Sequence, residues 1–197
     1  MSDTKIRIPK QKRSIEKRNK IKEVALELFS DKGYYNISSN EIAKKANVSI
    51  GTFYSYFSDK DSLICELTKD YYISILDRIP NNDFLNSSNV KETIRSYIKI
   101  IFEAHSYNSN FHKEITILAL SNEKFRLLEE ELNKYMYDKI LSILRNNKDL
   151  LKVNNFENAL FIILNSVESV VHSIMFYDSP YDKEDIIDEL TNMLYSY

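Results

Sequence analysis

A short run of residues in the first third of the chain, IGTFYSYF at positions 50–57, carries side chains suited to reading DNA bases. Phe53 and Phe57 are four residues apart and share one face of a helix, which we expect to be buried. The remaining side chains are small, aliphatic or hydroxylated, with no acid among them, and are Ile50, Gly51, Thr52, Tyr54, Ser55 and Tyr56. Such a face can hydrogen-bond to base edges and contact thymine methyl groups, which predicts a helix that enters the major groove.

Histidine and glutamate side chains later in the chain offer ligands for a divalent metal ion. Glu168 and His172 are separated by one helical turn. The other imidazole and acidic groups that lie near one another in sequence are His105, His112 and Glu114. No ligand spacing links the two groups, and a hydrogen-bonded core histidine is the commoner fate of such residues. We therefore predict no metal site and no cofactor.

The chain carries no pattern typical of an enzyme, since it has no Gly-rich phosphate loop and no nucleophile motif. We predict that it is not an enzyme and has no catalytic residue. The single cysteine, Cys65, excludes an internal disulfide, fits a reducing compartment and favours inert packing over redox sensing. No uninterrupted apolar run reaches about 18 residues and the charged N-terminus lacks a signal peptide, which predicts a cytoplasmic protein that does not cross a membrane.

Composition and charge favour a helical protein with one basic end. Only 2 Gly and 3 Pro occur in 197 residues, which argues against an all-β fold with its many turns. Residues 1–60 carry 13 Lys and Arg against 7 Asp and Glu, whereas the remainder carries 14 against 22. A basic first third fits contact with a polyanion, although a solvated tail has the same composition. Residues 1–12 form a basic arm that could follow phosphates or enter a minor groove.

Two short capped helices are predicted to position the face at residues 50–57. Ser38 and Glu41 form a capping box that begins the first helix. This helix ends in a turn where Asn47 tolerates a positive φ, and Ser49 caps the second helix. A longer amphipathic helix supports both and is expected to end at Gly33 in a left-handed cap. Its apolar stripe consists of Ile21, Val24, Ala25, Leu28 and Phe29.

Gly51 lies near the start of the second short helix, where glycine is about 0.5–1 kcal/mol less favourable than alanine. A Cβ atom at this position would obstruct close approach to a base edge or phosphate. Alternatively, glycine is needed for tight packing against the preceding helix. Both explanations are open from the sequence.

The rest of the chain is predicted to be helical. A fourth helix runs to Pro80 and is followed by a loop near residues 80–89. Further helical patterns occupy residues 89–105, 109–120, 122–146, 154–177 and 183–196. In the pattern at 122–146, the acids Glu129 to Glu131 are expected on the solvent side.

The helix that begins near residue 155 is apolar on nearly every side, so it must be buried on nearly every side. In a domain of this size, one face then needs cover from outside the subunit. The final helix offers a second apolar stripe. We therefore predict a two-fold homodimer through residues about 155–196, with a four-helix interface. The alternative is a monomer with this helix deep in its core.

The pattern of residues 15–67 resembles the DNA-binding domain of the TetR family of bacterial transcriptional regulators. A first helix ending in FSDKGY is followed by IxSxEIAxxAxVSxGTFYxYFxxKxxL. The chain departs from the family at Asn47, where glycine is usual, and in the absence of Arg or Lys from the reading helix. The resemblance implies an all-α fold with an N-terminal three-helix helix-turn-helix domain, residues 1–60. It implies a larger helical domain for effector binding and dimerisation, residues 61–197.

The resemblance also implies roles for individual side chains. The residues that match base-facing positions are Asn40, Ile50, Gly51, Thr52 and Tyr54. Those that match positions touching the DNA backbone are Ser38, Ser39, Ser49, Ser55, Tyr56 and Lys60. Ser38 could instead act mainly as a cap and Tyr56 mainly in packing. Asn pairs well with adenine, and nothing on the reading helix suits the Arg–guanine contact, so we hypothesise an operator rich in A·T pairs.

The second domain is expected to bind a small apolar or aromatic effector, since residues 61–197 contain 7 Phe, 10 Tyr and no Trp. The candidate effector-binding side chains are Tyr97, Phe102, His105, Phe111, Glu168 and His172. The predicted function is a repressor that binds an inverted repeat of double-stranded DNA as a homodimer and is released by its effector. The alternatives are a constitutive DNA-binding protein without effector and a helical scaffold that binds partner proteins.

Overall fold

The computed structural model describes residues 9–79, 89–146, 153 and 155–196. Within these residues all regular structure is helical, which confirms the predicted all-α class. The predicted basic arm at 1–12 lies largely outside the described residues, as does the loop at 80–88. The α-helices of the described residues are α1 (Lys12–Lys32), α2 (Ser39–Lys45), α3 (Ile50–Tyr56), α4 (Lys60–Leu76), α5 (Val90–Tyr107), α6 (Ser109–Ser121), α7 (Glu123–Asn146), α8 (Phe156–Met175) and α9 (Lys183–Ser196), with a 3₁₀ turn at Tyr34–Asn36.

The chain divides into two compact units. The first comprises Met1–Tyr71 with Asn110–Leu128, and the second comprises Tyr72–Ser109 with Glu129–Tyr197. The first unit therefore contains the N-terminal helix-turn-helix segment together with most of α6. The chain passes from the first unit to the second within α4.

The core of the first unit forms where the apolar stripe of α1 meets α2 and α3. All five residues of the predicted stripe are buried. Phe53 and Phe57 of the α3 segment are 0% and 2% exposed, and their ring centroids lie 5.8 Å apart. The predicted buried face of α3 is thereby confirmed, which leaves the opposite face of this short helix available to a partner.

The fourth helix ends earlier than predicted, at Leu76 rather than Pro80. After Leu76 the backbone tightens, because the N–H groups of Arg78 and Ile79 donate to carbonyls three residues back, at 3.0 and 3.2 Å. A residue that precedes proline also avoids the α conformation, which disfavours helix at Ile79. In the second unit, Lys139 Nζ donates to the terminal Leu76 carbonyl at 2.8 Å.

The core of the second unit lies between α5, α8 and α9. Its buried members are Ile98, Phe102, Val167, Val171, Ile187 and Leu190. At the surface, Arg95 of α5 donates to Asp188 at 2.7 Å and to Glu184 at 2.9 Å, both on α9. A smaller cluster, centred on Leu76, Ile79 and Ile143, joins the end of α4 to α7. The predicted helices of this region agree with the observed bounds to within about two residues at each end.

Helix α8 combines a buried face with an exposed apolar face. Val167 and Val171 are 2% and 0% exposed, whereas Phe161 and Ile162 are 63% and 54% exposed. Among the described residues, α8 is also long and apolar enough to cross a membrane by length and composition. Val167 and Val171 pack against α5 and α9, so one face of α8 is buried within its own subunit.

Candidate nucleic-acid interface

The first short helix begins at a side-chain cap. Ser38 has an extended backbone, and its Oγ accepts a hydrogen bond from the Glu41 N–H at 3.2 Å. The Glu41 carboxylate accepts from Lys32 Nζ at 2.8 Å. The predicted role of Ser38 as a cap is confirmed, and Glu41 fastens the end of α1 to the start of α2. Ser39 is the first residue of α2 and is partly exposed.

The turn between α2 and α3 is built on a left-handed residue. Asn47 has φ 55°, as predicted from its position. The turn is closed by hydrogen bonds from the Asn47 N–H to Lys44 O at 3.1 Å and from the Val48 N–H to Ala43 O at 3.0 Å. Gly33, at the end of α1, has φ 79° and ψ 154°. Its φ is positive as predicted, but its ψ places it in an extended region that is essentially restricted to glycine, not in the left-handed helical region.

The second short helix is capped by paired hydroxyl groups. Ser49 Oγ accepts from the Thr52 N–H at 3.1 Å and lies 2.9 Å from Thr52 Oγ1. Ser55 Oγ donates to the Thr52 carbonyl at 2.7 Å. The hydroxyl groups of Ser49, Thr52 and Ser55 thus hydrogen-bond to local backbone groups or to one another, and those of Ser49 and Thr52 lie at the start of the helix.

The outer face of α3 adjoins an open groove. Ile50 and Tyr54 are 37% and 44% exposed, although both are large and partly apolar. The residues that line the groove between α2 and α3 are Asn40, Ala43, Lys44, Asn47, Val48, Ser49 and Ile50. The base-facing candidates Asn40 and Ile50 are therefore brought together by the turn.

Sequence reasoning missed Lys44, an exposed cation in the same groove. Lys44 follows Asn40 by one helical turn on α2. That spacing in the sequence indicates that the two side chains lie on the same face of the helix. Helix α3 contains no Lys or Arg, but Lys44 lines the groove between α2 and α3. An ammonium group there can reach the O6 and N7 acceptors of guanine, as well as a phosphate.

Gly51 lies at the exposed start of α3 and faces open space. A Cβ atom built there would meet only Ser49 Oγ, at 3.9 Å, which is a relaxed contact. The packing explanation for this glycine is therefore not supported by the fold. Close approach of Gly51 to a base edge or phosphate stays a prediction.

Lys60, at the start of α4, points into the first unit. Its Nζ donates to the carbonyls of Tyr34 and Ile37, both at 2.7 Å, and lies 3.9 Å from the centre of the Tyr34 ring. Burial lowers the pKa of the Lys60 ammonium. Two of its three N–H donors are used inside the protein, so any phosphate contact relies on the third.

Tyr56 is 5% exposed and belongs to the core side of α3. Packing is thus a definite role for its ring. A contact between Tyr56 and the DNA backbone stays a prediction.

The candidate effector residues separate into several environments. In the second unit, His105, Glu168 and His172 are brought together, with the His105 and His172 ring centroids 5.2 Å apart. Phe102 lies in the core between α5, α8 and α9, whereas Tyr97 packs against the cluster at the end of α4.

Three of the candidate metal and effector side chains lie in the first unit. Phe111 lies edge-on to Tyr71, with ring centroids 6.2 Å apart. His112 Nδ1 lies 2.6 Å from the Tyr71 hydroxyl oxygen. Glu114, which sequence reasoning grouped with the histidines, accepts from the Tyr34 N–H.

Residues 21–67 match the model of a protein family described as bacterial regulatory proteins, tetR family. The chain is 33% identical over 115 residues to the HTH-type transcriptional regulator YuxN of Bacillus subtilis (strain 168). That alignment covers 58% of this chain and 38% of YuxN.

Solved structures resemble the fold over nearly the whole chain. The fatty acid degradation regulator FadR of Bacillus halodurans superposes with a TM-score of 0.74 at 19% identity, covering 95% of this chain and 96% of that one. The TetR family transcriptional regulator PfmR of Thermus thermophilus gives a TM-score of 0.68 at 18% identity, covering 89% and 97%. At these identities the likeness establishes the fold alone.

Proposed function

The chain belongs to the TetR family of bacterial transcriptional regulators, and we propose that it is a dimeric repressor that an effector releases from its operator. In this proposal residues 1–60 read DNA and residues 61–197 bind the effector and dimerise. The proposed location is the cytoplasm, where the DNA is.

The observation that carries DNA reading is the exposed face of α3 around Gly51. A helix that served only its own fold would gain stability from alanine here, because a Cβ atom meets no obstacle. Close approach to a base edge or phosphate would explain a glycine at this position. The neighbouring Ile50 and Tyr54 are also exposed, and each can contact bases.

Readout is proposed to combine direct and positioning contacts. Asn40, Ile50, Gly51, Thr52 and Tyr54 face bases, and Ser38, Ser39, Ser49, Ser55, Tyr56 and Lys60 hold the phosphate backbone. Because the Thr52 hydroxyl is paired with Ser49, its methyl group is the better base contact. An A·T-rich half-site suits these groups, with any G·C position placed opposite Lys44.

Dimerisation is proposed through α8 and α9. The exposed face of α8 includes Phe161 and Ile162, and α9 adds Met193, which is 48% exposed. Exposed apolar side chains of this size on neighbouring helices are typical of a surface covered by another molecule. In a two-fold dimer, the α8 and α9 surface of each subunit covers the same surface of the other, which gives the predicted four-helix interface.

A dimer explains how an effector could act. Two reading heads bind an inverted repeat whose half-sites are about 34–36 Å apart, or a multiple of this distance. An effector that binds more tightly to a conformation in which the two DNA-binding domains have a different spacing shifts the dimer to that conformation. DNA affinity then falls by an amount set by the difference in the effector's binding free energy between the two conformations. The aromatic and imidazole groups of the second unit are the proposed binding region.

The proposal is tested by fluorescence anisotropy with duplexes from the region upstream of the chain's own gene. We expect salt-dependent binding to an inverted repeat, because phosphate contacts release counterions. Tyr54→Ala should weaken binding, whereas Tyr135→Ala, which removes a more exposed tyrosine from α7, should not. Equal affinity of wild type and Tyr54→Ala for every duplex would refute the assignment of the reading face.

A further inference from the structure

The second unit contains a compact group of metal-ligating side chains within the region proposed to bind the effector. His105 lies on α5, and Glu168 and His172 lie one turn apart on α8. One ligand atom from each lies within 4.8 Å of the others. We infer that these three residues form a binding site for one divalent transition-metal ion, with Zn²⁺ best suited to the ligands.

The ligand set favours a borderline metal ion. Two imidazoles and one carboxylate bind Zn²⁺, Co²⁺ or Ni²⁺, whereas Mg²⁺ and Ca²⁺ prefer oxygen ligands alone. Ligands about 2.0–2.2 Å from a tetrahedral Zn²⁺ lie about 3.4 Å from one another. His172 Nε2 lies 3.8 Å from Glu168 Oε1, so this pair is close to that spacing without being in hydrogen-bond contact.

His105 is held in the orientation of a metal ligand. Its Nδ1 lies 2.8 Å from the Ile101 carbonyl oxygen, and a carbonyl can only accept, so Nδ1 carries the proton. Nε2 of the neutral ring then has the lone pair that a metal needs. A backbone carbonyl that fixes a histidine through its second nitrogen is a recurrent feature of metal sites. His105 is 5% exposed, which restricts the ring further.

His172 is also fixed by its surroundings. Its ring stacks on Phe176, with centroids 4.7 Å apart and an interplanar angle of 29°. This contact restricts the directions in which the two ring nitrogen atoms of His172 can point.

Glu168 supplies a negative charge that a divalent cation would neutralise, and its side chain is 46% exposed. Glu129 of α7 is partly buried, whereas sequence reasoning had placed it on the solvent side.

Metal binding itself needs no DNA, so it is tested independently of the proposed repressor function.

The test uses untagged full-length protein, stripped with a chelator and titrated with Zn²⁺ by calorimetry and with Co²⁺ by visible absorption. Wild type should bind one ion per chain, and Co²⁺ should show the intense bands of a low-coordinate imidazole site. His172→Gln and Glu168→Gln should each weaken binding. For His172→Gln we expect at least about 100-fold, since loss of a direct ligand exceeds the 10–100-fold effect of an outer-shell partner.

The matched control is Glu103→Gln, which removes an exposed carboxylate from α5 and should leave affinity unchanged. Circular dichroism reports whether each variant is folded. His172→Gln is the primary variant because its side chain is 25% exposed, less buried than His105. Binding of less than one ion per chain by folded wild type would overturn the site. So would affinities of folded His172→Gln and Glu168→Gln that both equal the affinity of wild type.

Discussion

The ammonium of Lys60 lies 3.9 Å from the centre of the Tyr34 ring and 2.7 Å from the Tyr34 carbonyl oxygen. The Tyr34 hydroxyl donates to Asp61, the next residue of α4. The turn after α1 is therefore bound to the start of α4 through the ring and carbonyl of Tyr34, which contact Lys60, and through the carboxylate of Asp61, which accepts from the Tyr34 hydroxyl. Through these contacts, Lys60 contributes to the fold as well as to its predicted phosphate contact.

Lys60→Ala is expected to destabilise the protein as well as weaken DNA binding. The substitution leaves the carbonyls of Tyr34 and Ile37 without their charged donor, which costs about 1–3 kcal/mol of unfolding free energy. Urea denaturation measures this change. Lys69→Ala, an exposed lysine of the same helix, should stay within about 0.5 kcal/mol of wild type. Unchanged stability in Lys60→Ala would show that the internal hydrogen bonds contribute little.

The two glycines should respond in opposite ways to alanine. Gly51→Ala is expected to stabilise the fold by about 0.5–1 kcal/mol, since its Cβ enters open space within a helix. Gly33→Ala is expected to destabilise it, because φ 79° with ψ 154° is strained for any side chain. Thermal unfolding of the two variants measures both signs.

Gly51→Ala should nevertheless weaken operator binding about tenfold or more, a loss of at least about 1.4 kcal/mol. Fluorescence anisotropy at two salt concentrations gives this value. A variant that is more stable and binds DNA as well as wild type would show that Gly51 does not approach the DNA.

The sequence predicted the local features of this fold and missed contacts that tertiary packing creates. The stripe of α1 and the positive φ of Asn47 follow from periodicity and turn chemistry, which act over a few residues. The inward orientation of Lys60 depends on carbonyls 23 and 26 residues away. Likewise, Glu168 and His172 met His105 only because α8 packs against α5, so no spacing in the sequence could reveal the group.

Phe161→Glu is expected to convert the proposed dimer into a monomer. The substitution places a charge in an apolar interface, and desolvation of that charge opposes association. Analytical ultracentrifugation should then give the 23.2 kDa of one chain, against twice that mass for wild type. Leu120→Glu, at an 85% exposed position of α6, should remain dimeric. A wild-type mass of one chain at micromolar concentration would exclude the dimer.

Glu66 should make the stability of the first unit dependent on pH. Lys22 Nζ lies 2.9 Å from its carboxylate, and Arg18 also pairs with it. Burial opposes ionisation, but hydrogen bonds from Lys22 and Arg18 hold the pKa of Glu66 below its ordinary value. A carboxyl whose pKa is lower when folded stabilises the protein above its unfolded pKa. That stabilisation is lost as pH falls through the folded pKa.

Glu66→Gln should therefore reduce the unfolding free energy by about 1 kcal/mol at pH 7, since the three side chains are 19–29% exposed. The difference from wild type should shrink below about pH 4, where the wild-type carboxyl begins to take up a proton. Urea denaturation between pH 3 and pH 7 measures it. Glu23→Gln, which removes an exposed partner of Lys20 on α1, should show little change at any of these pH values. A constant difference between Glu66→Gln and wild type across the range would mean that packing, not charge, stabilises this position.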